Sequence, residues 1–170
     1  MSALLDHLCQ QLRSRQLTVR EETGQDQAFT AALYASTRID ELAAVDWPME
    51  QKRAFVRQQF EAQRQGYRAN YPGALFGLIE RQGQPLGRCY LWQGATELRL
   101  MEITLSPEQR GQGLGSAVLA ALLGFARAAA LDITLHVEPG NPAQRLYARL
   151  GFTLEEHRGV YDFLRWRPLS

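Results

Sequence analysis

Residues Glu97 to Gly115, ELRLMEITLSPEQRGQGLG, constrain the fold of this chain more than any other stretch. They begin as an alternating apolar run, turn at Ser106-Pro107, and end in three glycines that open a helix. A strand that delivers its last residues onto a glycine-rich helix start makes a place for a phosphate-bearing ligand. Unpaired backbone N–H groups and the positive end of the helix dipole both point at the anion there.

Spacing narrows the ligand class. A nucleotide-triphosphate loop closes with Lys-Ser or Lys-Thr, whereas Gly115 is followed by Ser116-Ala117. A dinucleotide fingerprint spaces its glycines G-x-G-x-x-G, and Gly111, Gly113 and Gly115 stand G-x-G-x-G. Too few residues follow for the other strands of a doubly wound fold. The bland alternative is a tight turn with glycines for steric reasons only.

The rest of the 170 residues fits one domain, 1–170, with an amphipathic helix (1–16) appended at its N-terminus. Apolar residues make up 45% of the chain, ample for a core, and the formal charge of +1 advertises neither nucleic acid nor an anionic membrane as partner. No run is long and apolar enough to span a membrane, and the first residues lack a signal-peptide pattern, so the expected location is cytoplasmic. Cys9 and Cys89 lie far apart and suggest two reduced thiols, with no metal site.

Periodicity predicts the elements. Met1 to Arg15 carries the stripe Leu4, Leu5, Leu8, Cys9 and Leu12 of a helix packed on its own domain or on another subunit, the latter making a homodimer. A strand at Leu17–Arg20 precedes a helix over 25–39, with Ala28, Phe29, Ala32, Leu33 and Ser36 on one face. Pro48 breaks the pattern, and a second helix runs from Met49 to Gln65 with Gly66 as its cap and 67–72 as an irregular connector. Strands follow at 74–81 and 85–92 around a turn at Gln82-Gly83-Gln84. The stripe Leu114, Ala117, Val118, Ala121, Leu122, Phe125 marks a buried helix, and a strand at 133–137 comes next. Asn141 caps a short helix that Gly151 ends, and a pair of strands, 152–155 and 160–166, closes the chain. The expected fold class is α/β (mixed α+β): a central, mostly antiparallel sheet of six to seven strands with helices on both faces.

Arg110-Gly111-Gln112-Gly113-Leu114-Gly115 resembles the R/Q-x-x-G-x-G/A signature of the GNAT family, the Gcn5-related N-acetyltransferases. Asn141 to Phe152, NPAQRLYARLGF, resembles the family's second hallmark, N-x-x-A-x-x-x-Y-x-x-x-G-F, one helix and one strand later. The resemblance implies an enzyme that transfers acetyl from acetyl-CoA to a primary amine of a small molecule, peptide or protein by direct attack in a ternary complex.

The resemblance also implies roles. Arg110, Gly111, Gln112, Gly113, Leu114, Gly115 and Ser116 would wrap the pyrophosphate of coenzyme A, and Ile103, Thr104 and Leu105 would pair with its pantetheine arm. A backbone N–H near Ile103 would polarise the acetyl carbonyl. Asn141 would add a contact to the coenzyme, and Tyr147 would protonate the departing thiolate. Glu102 is the candidate general base, directly or through water. Alternation places it on a face with Leu98, Leu100 and Thr104, an apolar setting that favours a useful carboxyl pKa. Its other reading is a surface glutamate paired with Arg99 or Arg88. Trp47, Tyr67, Tyr71, Tyr161 and Asp162 lie where relatives line the acceptor cleft. The rival readings are a non-catalytic acyl-CoA-binding sensor and an interaction module using the N-terminal leucines.

Overall fold

The computed structural model describes residues 2–169, so the expected helix start at Met1 and the chain end at Ser170 lie outside the described residues. Helix α1 (Ser2–Leu12) precedes β1 (Leu17–Glu21), and α2 (Gln27–Arg38) and α3 (Met49–Asn70) follow. Strands β2 (Leu75–Arg81), β3 (Gln84–Gln93) and β4 (Glu97–Leu105) then run in succession. After α4 (Leu114–Ala129) come β5 (Asp132–Val137), α5 (Ala143–Leu150), β6 (Thr153–Arg158) and β7 (Tyr161–Trp166). The strands form one seven-stranded sheet in the order β1-β2-β3-β4-β5-β7-β6, antiparallel except between β4 and β5. The mixed α/β, mostly antiparallel architecture expected from the element order is the one observed.

The β2–β3 hairpin turns on Gln82 and Gly83, both at positive φ (+52° and +78°), a geometry whose twist matches the flanking strands. One core cluster runs from Leu4, Leu8 and Leu12 of α1 through β1–β5 and α4 to Trp166. The leucines of α1 are therefore internal, each at most 1% exposed, and they pack against α4 and β1. On the opposite face, Tyr34, Val56 and Phe60 join α2 to α3 in a smaller cluster.

Three expectations are corrected. Helix α1 ends at Leu12, where a 3-10 turn over Arg13–Arg15 gives way to Gln16 in the left-handed region. On α2 the buried residues are Thr30, Leu33 and Tyr34, while Ala28 and Ala32 are exposed. The tilt of the helix is set by Tyr34 against Phe60, 5.8 Å between ring centres, a contact no single-helix pattern contains. Helix α3 does not stop at Gly66 but continues to Asn70, so Tyr67 is helical and Tyr71 is the capping residue. A glycine ends a helix when it turns left-handed. Gly66 stays within the helix, and Tyr67 is anchored instead by its hydroxyl, which donates to the Met101 carbonyl at 3.2 Å.

Candidate active site

The site is made by two irregularities in β4. Its parallel pairing with β5 covers Glu97–Leu100 against Asp132–Leu135, yet β4 continues to Leu105 and β5 to Val137. The strands therefore part, and a cleft of about 1210 Å³ opens between them. Its walls are β4 from Leu100, the end of β5, the start of α5 and the inner faces of α2 and α3. On the other side of β4, Tyr90 pairs with Glu102 and Leu91 with Leu100, which leaves Met101 as a bulge.

That bulge overturns the expected facing of Glu102. One extra residue reverses the alternation beyond it. Leu98 and Leu100 face the core, and after the bulge it is Ile103 and Leu105 that pack against it. Glu102 and Thr104 turn to the α2–α3 side, where the Thr104 hydroxyl donates to Glu102 Oε1 at 2.7 Å. Around Glu102 Oε2 stand Gln63 Nε2 and the Tyr67 hydroxyl at 3.4 Å and the Arg88 guanidinium at 3.5 Å. The setting is polar, not apolar. Arg99, the other expected partner, is engaged by the Thr134 and Tyr71 hydroxyls and faces Glu97.

At the far end of β4 the chain turns through Ser106-Pro107 into the glycine loop. Gly111 and Gly113 adopt φ of +76° and +78°, a region closed to most side chains, as the chain turns into the start of α4. Around Gly111 nothing lies within 4 Å of where a Cβ would be, and at Gly113 the nearest atom is the Arg15 guanidinium at 3.7 Å. The loop is thus open on the side where a side chain would stand. Arg110 Nε donates to the Leu105 carbonyl at 3.1 Å, tying the loop to the strand. Gln112 folds back on the Glu108 carbonyl, the Leu114 side chain is buried in the core, and Ser116 is exposed on the first turn of α4.

Across the cleft, Asn141 Oδ1 accepts from the Ala143 backbone N–H at 2.9 Å, but the N-cap position of α5 falls on Pro142, one residue later than expected, because the helix begins at Ala143. Tyr147 follows on the buried face of α5, 6% exposed, at the cleft wall. Burial first, and the Glu102 charge second, push its pKa up to about 12. Burial and Glu102 likewise raise Tyr67 well above the ordinary phenol value. Of the expected coenzyme contacts, Ile103, Thr104, Leu105, Arg110, Gly115, Asn141 and Tyr147 line the cleft itself.

Of the expected acceptor residues, Tyr67, Tyr71 and Tyr161 line the cleft. Trp47 packs edge-on against Phe55, and Asp162 is buried beneath Gln144 and His157, so neither stands on its wall. Pattern reading passed over Tyr34 and Gln63, both on the wall, and alternation along β5 marks His136 as structural rather than catalytic, although it too stands there. Gln63 left no signal in a glutamine-rich helix. His136 stands where β5 leaves β4, its ring partly desolvated against Phe163 though the residue as a whole is open to solvent, and that desolvation with the Arg99 and Arg158 charges lowers its pKa.

The model of the Acetyltransferase (GNAT) family matches residues 36–152. The chain belongs to that family. A protein named as a candidate ribosomal protein bS18-alanine N-acetyltransferase from Bacillus subtilis is 32% identical over 82 residues, 47% of this chain and 54% of the relative. The mycothiol acetyltransferase of Thermobispora bispora is 29% identical over 142 residues, 78% of this chain and 44% of that protein. The chain spans about half the length of these two relatives. The crystal structure of PaiA N-acetyltransferase from Thermoplasma acidophilum in complex with coenzyme A superposes with a TM-score of 0.65 at 15% identity, covering 89% of this chain and 98% of that one. This likeness bears on the GNAT fold. Among the described residues no group of three or more His, Cys, Asp or Glu side chains could hold a metal, and no helix is long and apolar enough to cross a membrane.

Proposed function

We propose that this chain is an N-acetyltransferase that moves an acetyl group from acetyl-CoA to a primary amine of a small molecule or peptide in a ternary complex. One observation carries the reading: the cleft between the parted strands joins the glycine cradle at one end to the Glu102 cluster at the other. Family membership supports the coenzyme, since the cradle sits on the residues that carry the family signature. The two thiols are free, which supports a reducing compartment such as the cytoplasm.

The amides of Gly111 to Gly115, with the α4 dipole behind them, hold the pyrophosphate. Acetyl-CoA supplies an acetyl group activated as a thioester. The β4 residues Ile103, Thr104 and Leu105, free of β5 beyond Leu100, hold the pantetheine arm, and a backbone N–H near Ile103 donates to the acetyl carbonyl. An alkylammonium has a pKa of about 10.4, so it must lose a proton before its nitrogen can attack. Glu102, directly or through a water, takes that proton. The nitrogen sheds a second proton on becoming an amide, and the departing sulfur takes up one in its place, so that one proton in all passes through Glu102 to solvent. Tyr147 serves that end as a hydrogen-bond donor to sulfur. Its pKa of about 12 lies well above the thiol value of about 8.5, so it steadies the thiolate more than it gives the proton up. The acceptor amine enters between Tyr67, Tyr71 and Tyr161, whose rings favour a cation.

A thiol-release assay with acetyl-CoA against a panel of amines and peptides tests the reading. Release with at least one acceptor, reduced about a hundredfold or more in Glu102→Gln, is the expected result. Coenzyme binding without release for any acceptor would instead favour a sensor.

A further inference from the structure

We propose that Arg88 is the positioning residue of Glu102, a buried cation on β3 that holds the carboxylate turned into the cleft. The proposal rests on the reading of Glu102 as the base.

The two oxygens of Glu102 are held differently. Oε1 takes one ordinary hydrogen bond from Thr104, its neighbour on the same strand. Oε2 faces three donors from β3 and α3, none closer than 3.4 Å. Donors at that range orient an oxygen without saturating it, so Oε2 keeps a lone pair for an N–H arriving from the cleft. Of those three donors only Arg88 is charged. It also sets a second one, because Arg88 donates to Gln63 Oε1 at 3.0 Å and thereby turns the Gln63 amide nitrogen towards Glu102. Arg88 therefore acts on Oε2 twice, once by its charge and once through Gln63.

Nothing about Arg88 resembles a surface ion pair. Its side chain is 2% exposed, against 23% for Glu102. The guanidinium lies 5.0 Å from the Tyr90 ring centre and 5.8 Å from that of Tyr34, and its Nε is buried without a partner. A buried ion pair is a weak source of stability, and one with an unfilled donor weaker still. Its placement is better explained by what the charge does to the carboxylate beside it.

The surroundings leave Arg88 as the cation that matters. Glu102 is faced by Arg88 and, more distantly, Cys89 and Tyr90 from β3, by Gln63 and Tyr67 from α3, by Thr104 on its own strand, by Tyr34 from α2 and by Tyr147 from α5. The Tyr34, Tyr67, Tyr90 and Tyr147 hydroxyls and the Cys89 thiol are all held above their ordinary values, burial being the first cause in each. They are neutral through physiological pH. Among the described residues, Arg88 is the one permanent charge in ion-pair range of Glu102.

The test is a double-mutant cycle on the full chain, using an acceptor found by the thiol-release panel. Arg88→Met is expected to lower kcat about tenfold while leaving coenzyme A affinity by calorimetry unchanged. Arg88→Lys keeps the charge and should recover most of kcat, and Arg88→Gln replaces Arg88→Met should the latter not fold. In the Glu102→Gln background, removing Arg88 should cost little more. An equal loss in both backgrounds, or no recovery of kcat in Arg88→Lys, overturns the proposal. A Glu102→Gln enzyme as fast as the parent overturns the base assignment itself, and the positioning role with it.

Discussion

Leu100 on β4 pairs with Leu135 on β5, and beyond that pair the two strands part. The next residue, Met101, is also the one skipped in the ladder to β3. The loss of one neighbour and the slip against the other thus occur at adjacent residues. The first opens the sheet for a ligand, and the second turns Glu102 out of the core and into the opening.

Gly113→Ala should weaken coenzyme A binding with little loss of fold. The residue sits at φ +78°, and the space around its missing Cβ holds only the tip of Arg15, so the cost is conformational. An L-residue in the left-handed region costs about 1–2 kcal/mol, and relief of that strain swings the cradle amides off the phosphate. A rise in Kd of about tenfold, read by calorimetry, is expected. An unchanged Kd would show that the loop does not hold the ligand.

Tyr147→Phe should lower kcat about tenfold and leave the neutral-pH part of the rate profile in place. The hydroxyl, pushed up to about 12, keeps its proton throughout that range, so no limb near neutrality belongs to it. The folded state favours the protonated phenol. That contribution to stability is complete below the ordinary tyrosine value of about 10 and fades as pH climbs through about 12. The urea midpoint of the parent should therefore fall relative to that of the variant between those pH values.

Leu8→Ala should cost about 2–5 kcal/mol, because Leu8 is fully buried between α1 and the α4 layer. A polar residue there would disrupt folding before it reported on self-association. The measurement is the urea midpoint at fixed slope. A loss below about 1 kcal/mol would mean that α1 is only loosely seated.

Cys89 is wholly buried, and burial foremost pushes its thiol up to about 12. Folding favours the neutral thiol, a contribution complete below the ordinary value and lost as pH rises through about 12. Since the thiolate is the nucleophile, Cys89 should resist alkylation at mild alkaline pH until denaturant is added. Mass spectrometry of the tryptic peptides reads this directly.

Much of this architecture can be read from local pattern. The glycine spacing after Leu105, the Asn141-Pro142 helix start, the Gly151 stop and the leucine stripe of α4 are all local features, and each element they mark is present. The helix after Met49 runs past the glycine that marks its end by residue type, Gly66, to Asn70. Glycine permits a left-handed turn but does not compel one, and the Tyr67 contact with β4 decided the matter.

Alternation and spacing alone determine that this chain builds a sheet with a glycine cradle at one strand's end, because those signals depend on neighbours in sequence. The surroundings of Glu102 depend on a bulge at Met101, on Arg88 from β3 and on Gln63 and Tyr67 from α3. A bulge arises from the competition between two strand partners, and a buried cation finds its carboxylate across elements distant in the chain. Only the packed structure brings those terms together, and it alone decided which way the carboxylate faces.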